Sequence, residues 1–201
     1  MSGELAGVDR LRSGILLMII VPVLVLVAAI TLAIPLMYVP PAGPPHGYRL
    51  YYAFSLYAGV AQAVAAAVVV MVSLVLSALA VARLKDGFSL IYASGRGGYA
   101  GSMGSTMVIV GLVLMLAAVV AMLFPLAGLA LGVLAAVALL VGFILIGVGI
   151  FEVGESFNNS TTKLGGILTA IPIPLVTFVG LIISYVGLGE VRESLRGAAR
   201  P

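Results

Sequence analysis

Residues 97–151 carry no charged side chain. A single α-helix of that length would run to about 80 Å, more than twice the roughly 30 Å hydrocarbon core of a bilayer. The stretch is too apolar to face water and too long to cross lipid once, so the chain must fold back. Phe124-Pro125-Leu126-Ala127-Gly128 holds the turn chemistry, because Pro interrupts a helix and Gly accommodates the return. The expected result is a helical hairpin with spans over 103–124 and 127–151.

The rest of the chain fits the same solvent. Apolar residues make up 63% of it and charged residues 8%, with a mean hydropathy of +1.29. Soluble domains carry about 25% charged residues, so this inventory does not cover a water-facing surface. The fold class expected is all-α: a polytopic membrane protein of about five transmembrane helices in one compact bundle, a single transmembrane domain over 1–201. The first span covers 14–39, bent at Pro22 and Pro35. With no charge between Arg12 and Arg49, it outruns the roughly 7–15 residues of a signal-peptide core and reads as retained. Residues 40–47, rich in Pro and Gly and including His46, form a loop. The second span runs from Arg49 to Arg83, its start (50–57) lying in the interface. Residues 83–96 make a short amphipathic surface segment, 152–163 a polar connector, 164–189 the fifth helix, and 190–201 an Arg-rich tail.

Orientation follows from the basic residues. Five crossings place Arg10, Arg12, Arg83, Lys85, Arg96 and Lys163 on one side, and Arg49, Arg192, Arg196 and Arg200 on the other. The bias puts the N-terminus in the cytoplasm of a multi-pass cell-membrane protein. A last segment that re-entered without crossing would steepen it. The formal charge of +3 thus reads as orientation, not as nucleic-acid binding. The absence of cysteine excludes disulfides and thiolate metal sites, and the absence of Trp leaves Tyr as the interfacial anchor.

Two internal similarities organise the chain. Val8-Asp9-Arg10-Leu11-Arg12-Ser13-Gly14 matches Val81-Ala82-Arg83-Leu84-Lys85-Asp86-Gly87 in its Val, Arg, Leu and Gly. The second and fourth spans align Gly59, Ala63, Ala66, Ser73 and Ala80 with Gly128, Gly132, Ala135, Gly142 and Gly149. Parallel two-helix repeats, 8–80 and 81–152, would account for both, with low complexity as the alternative. The small residues fall on one helix face, and Gly97, Gly101, Gly104, Gly111 and Ala118 repeat the stripe. Lipid tails are as apolar as Leu, so membrane helices associate by close packing where small residues let backbones approach.

No catalytic, cofactor-binding or metal constellation is legible. Gly95-Arg96-Gly97-Gly98-Tyr99-Ala100 resembles a dinucleotide fingerprint but lacks the strand that motif requires. His46 stands alone. Asn158 or Ser160 suits the cap of the fifth helix. Asp86, Glu152 and Glu155 gather with Arg10, Arg12, Arg83, Lys85 and Lys163 as an ion-paired rim. The polar residues inside the bundle are Gln62, Ser73, Ser77, Thr169, Thr177 and Ser184, all compatible with helix–helix hydrogen bonds. Thr169, Pro172 and Pro174 form the one binding candidate, because two prolines within a span free carbonyls one turn earlier and broken helices hold solutes in transporters.

Leu11-Arg12-Ser13-Gly14, Leu84-Lys85-Asp86-Gly87-Phe88, Gly98-Tyr99-Ala100-Gly101 and Phe151-Glu152-Val153-Gly154-Glu155-Ser156-Phe157-Asn158 resemble a family of polytopic archaeal membrane proteins carried as a domain of unknown function. Lys163-Leu164-Gly165-Gly166-Ile167-Leu168, Ile171-Pro172 and Tyr185-Val186-Gly187-Leu188 extend the likeness. The resemblance implies an archaeal cell membrane and supplies no catalytic residues. The expected function is a non-enzymatic scaffold or subunit of a membrane assembly, its partners the lipid bilayer and other membrane proteins or itself. A channel or transporter for an ion or small solute is the alternative.

Overall fold

The computed structural model describes residues 2–37, 48–121 and 123–198. They form six helices: α1 (Ser2–Met37), α2 (Tyr48–Ala93), α3 (Tyr99–Ala121), α4 (Pro125–Ser156), α5 (Ser160–Ala170) and α6 (Pro174–Ala198). Five of them, all but α5, contain a segment long and apolar enough to cross a membrane. The fold is therefore all-α and polytopic. The chain divides into two compact units, Met1–Ile19 with Ala78–Pro201 and Ile20–Ser77. His46 and the 40–47 loop lie outside the described residues.

The smaller unit holds the later part of α1 and the earlier part of α2. Pro22 sits within α1 without ending it. Val25, Leu26, Ile30, Val60, Val64, Val68, Met71 and Val75 are all exposed. Apolar side chains exposed along whole helices are costly in water and cost nothing in hydrocarbon, which is the solvent these faces match.

In the larger unit, α2 continues to Ala93, so 83–96 is not a surface segment lying apart. Leu84, Phe88 and Ile91 recur at helical spacing and are fully buried; the amphipathic pattern there belongs to one face of a packed helix. That face meets the start of α1, running antiparallel. A β-carbon on Gly87 would fall 2.8 Å from the Leu11 nitrogen, and one on Gly14 would fall 2.9 Å from Leu84 Cγ. The two similar motifs thus lie face to face, the Leu of each against the Gly of the other.

Pro125 opens α4, where its missing N–H is one the first turn leaves unpaired anyway. The Phe124 N–H donates to the Ala121 carbonyl (2.8 Å) and closes the turn from α3, at the place the sequence indicates. The hairpin then packs through glycine. A β-carbon on Gly104 would come 2.7 Å from the Gly142 carbonyl, and one on Gly142 would come 2.9 Å from the Val108 nitrogen. At Gly149 it would collide with the Gly101 backbone, and the Phe88 ring lies across this crossing, 2.5 Å from a Gly101 β-carbon. Not every small residue takes part. Gly59 and Gly132 face open space, while the glycines of α4 that pack divide between α3 (Gly142, Gly149) and α5 (Gly147, Gly154).

The segment 164–189 is two helices, not one. Ile171 is extended (φ −78°, ψ 119°), as a residue before proline tends to be, and Pro174 restarts the chain as α6. Gly165 packs on Ser184, Gly180 on Thr169 and Gly187 on Thr162. These pairings run in opposite senses, so α5 and α6 are antiparallel. Gly147 and Gly154 of α4 receive Ala170 and Lys163 of α5. The end of α6 consequently meets the start of α1: Arg192 pairs with Asp9. Placing Arg192 and Arg196 on the side opposite the N-terminus does not survive this contact. The proline-induced reversal brings them back.

Gly142→Leu should lower the thermal stability of the detergent-solubilised protein by about 1–3 kcal/mol or more, as overpacking does. Gly132→Leu should leave the melting transition unchanged.

Candidate functional site

The ends of all six helices that face one way gather the chain's charge. Every one of the seven carboxylates lies there: Glu4 and Asp9 in α1, Asp86 in α2, Glu152 and Glu155 in α4, Glu190 and Glu193 in α6. Arg10 Nη1 reaches Asp86 at 2.7 Å, and Arg96 Nε reaches Glu4 at 2.8 Å. The first pair is more than half exposed on both partners and contributes little. Glu4 retains only 12% of its side-chain exposure, so its contact with Arg96 is better shielded from water.

The loop between α2 and α3 is built around that arginine. Gly95, Gly97 and Gly98 all take positive φ, 79°, 76° and 92°, a region open to Gly at no steric cost. The glycines that mimic a nucleotide fingerprint thus turn the chain sharply. The turn presents the Gly98 N–H to Glu152 Oε2 at 2.9 Å and lays Arg96 over the Phe157 ring, 5.1 Å from its centroid. Arg96 Nη1 also donates to the Ser156 carbonyl at 3.2 Å, satisfying one of the acceptors that a helix end leaves open. One loop residue therefore ties α1 to the end of α4.

A second tie joins the α5–α6 hairpin. Asn159, rather than Asn158 or Ser160, caps α5: its Oδ1 accepts from the Thr162 N–H at 2.7 Å. Asn158 instead takes a left-handed turn, φ 51°, which Asn tolerates better than most residues. The other end of the Asn159 amide donates to Glu190 Oε2 at 2.8 Å. Above it, the Arg12 guanidinium stacks on Tyr185, 4.4 Å from the ring centroid.

The binding candidate at the break takes a different form from a kink. Thr169 is buried and donates its hydroxyl to the Gly165 carbonyl at 2.8 Å. Pro172 and Pro174 are exposed at the tip of the hairpin. The carbonyl of Ile171 is satisfied locally, by the Ile173 N–H at 2.8 Å and the Thr177 hydroxyl at 2.7 Å. Ser105 and Ser184 likewise bond the carbonyls of Gly101 and Gly180, four residues earlier. Thr162 and Ser73 are exceptions, buried hydroxyls without a partner, Thr162 set against the Gly187 backbone. Gln62, Ser73 and Ser77 belong to the smaller unit. Among the described residues, no three His, Cys, Asp or Glu side chains converge as a metal site would require.

Sequence reasoning assembled Arg10, Asp86 and Glu152 into one rim but left Arg96 out of it, and it missed Glu190 and Arg192 because it sent the tail across the membrane. The signal was present in α6 itself, whose periodic burial of Leu181, Ser184, Leu188 and Val191 runs unbroken into the charged segment. A helix that keeps one buried face past its first charges is still packed against protein.

A family model described as a protein of unknown function, DUF973, matches residues 4–201, nearly the whole chain. No curated protein and no solved structure matches it.

Replacing Asn159 by Ala should cost about 1 kcal/mol, the usual value of a lost N-cap, read as a lower unfolding midpoint in detergent. Ser160→Ala should cost little, and Asn158→Gly should be neutral or stabilising, since Gly adopts its positive φ freely.

Proposed function

We propose, for a chain that belongs to the DUF973 family of proteins of unknown function, a non-enzymatic role as a scaffold or subunit of a membrane assembly. One observation carries the reading. The seams of the larger unit are backbone-to-backbone glycine contacts, and the buried hydroxyls of Ser105, Thr169 and Ser184 are bonded to carbonyls of their own helices. Such hydroxyls are neither free to coordinate a passing solute nor poised as nucleophiles. What the chain offers its surroundings is a long apolar exterior with a charged rim, suited to lipid and to other membrane proteins or a second copy.

The same reading places the charged rim in the cytoplasm of the cell membrane. Among the described residues of the larger unit, all eight basic side chains lie at that end. This is the distribution that orients membrane proteins. The α5 helix, 11 residues long, reaches about 16 Å, roughly half of the hydrocarbon core. The α5–α6 hairpin accordingly enters the leaflet from the cytoplasm and returns to it.

Single cysteines at Ser2, Arg96, Asn159 and Arg196 should all react with impermeant thiol reagents from the cytoplasmic side. Labelling of position 196 from the opposite side would overturn the hairpin topology. In reconstituted vesicles, ion and solute flux should stay at background for the unmutated protein and for Pro172→Ala/Pro174→Ala alike. A proline-dependent flux would favour a channel or transporter, the broken hairpin being the feature that permits one.

A further inference from the structure

We propose that Arg12, held on Tyr185, binds the phosphate of a phospholipid headgroup in the leaflet that meets the charged rim. Four of the rim's seven carboxylates are engaged elsewhere: Glu4 with Arg96, Asp86 with Arg10, Glu190 with Asn159, and Glu152 with the Gly98 N–H. Asp9, one turn before Arg12 on the same helix, is held by Arg192. Arg12 donates to none of them, and its Nε is buried with no hydrogen-bond partner. Its contacts are flat ones. The guanidinium lies over the Tyr185 ring and beside Gly189, where a β-carbon would sit 3.6 Å from both Cζ and Nη2.

A guanidinium carries five N–H donors in a planar fork that fits phosphate bidentately, and its charge is permanent. Stacked on an aromatic ring it is already oriented, so the ordering cost of binding falls. Its depth selects the ligand. Ser13 follows Arg12, and after Gly14 the helix is apolar through Ile34; on α6, Tyr185 to Leu188 precede the first charge at Glu190. Arg12 therefore marks the boundary between hydrocarbon and headgroups on both helices it touches. The acceptor present in quantity at that depth is lipid phosphate.

The test uses the full chain in an uncharged detergent and native mass spectrometry to count retained lipid. Phosphatidylglycerol should be retained, and a galactosyl diacylglycerol, which has the same tails and no phosphate, should not. Arg12→Gln should weaken phosphatidylglycerol retention by about tenfold, the scale of one lost charge-assisted bidentate contact, and Arg83→Gln, exposed on α2, should leave it unchanged. Should Arg12→Gln fail to fold, Arg12→Lys decides: it keeps the charge but not the fork, and should still lose several-fold. Equal retention by these variants and the unmutated protein would overturn the proposal, as would equal retention of the galactolipid. Millimolar inorganic phosphate should not displace the lipid. Displacement dependent on Arg12 would assign the site to soluble phosphate and overturn the lipid assignment.

Discussion

The larger unit depends on how closely the α3 and α4 backbones approach at Gly101 and Gly149. In lipid no hydrophobic force drives helices together, so dispersion contacts and weak hydrogen bonds across a tight seam must supply the attraction. A β-carbon at Gly149 has no room against Gly101, and the Phe88 ring of α2 rests on the flat surface that their missing side chains leave. That ring is fully buried. One aromatic side chain thereby fixes the position of α2 against two helices that follow it. Because Leu11 and Leu84 interlock on the neighbouring turns, α1 is fixed with it.

Polar groups are distributed by the same physics. Within the apolar depth of the unit, the hydroxyls of Ser105, Thr169 and Ser184 find acceptors on their own helices, leaving the seams to glycine and aliphatic side chains. At the end, where water and headgroups are present, charged side chains bridge elements that are distant in sequence: Glu4 to Arg96, Asp9 to Arg192, Glu152 to the loop before α3. Each such pair is worth little alone in a wet setting. Their value lies in register, because a helix displaced by one turn would leave its carboxylate facing an apolar neighbour.

Much of this was legible in the sequence, and the parts that were not share a cause. The charge-free length of 97–151 dictated a hairpin, and Pro125 located its turn to within a few residues. Small-residue spacing correctly picked Gly101, Gly104, Gly142 and Gly149 as interface positions. It over-reached to Gly132, because spacing identifies a face and not which neighbour, if any, covers it. The 83–96 segment was misjudged since Leu84, Phe88 and Ile91 give the same period whether a helix lies on lipid or packs on α1. At Pro172 and Pro174 the sequence announced a break, but a kink and a reversal begin with the same missing N–H. Only the antiparallel pairing of Gly165, Gly180 and Gly187 with Ser184, Thr169 and Thr162 distinguishes them. The rim was half legible for that reason: Arg10, Asp86 and Glu152 followed from the apolar runs, Glu4 and Asp9 went unnamed, and the members from α6 required the reversal.

The reversal at Ile171 bears on how the chain is made. A helix that crosses at the end of a protein must carry the polar tail after it through the hydrocarbon. In the α5–α6 hairpin, Ser160 and Arg196 stay at the same end of the unit, and Glu190, Arg192 and Glu193 stay there with them. The hairpin carries Ile171–Leu175 at its tip and packs along the glycines of α4. Joining this element to the unit is then a matter of docking two helices on a glycine face.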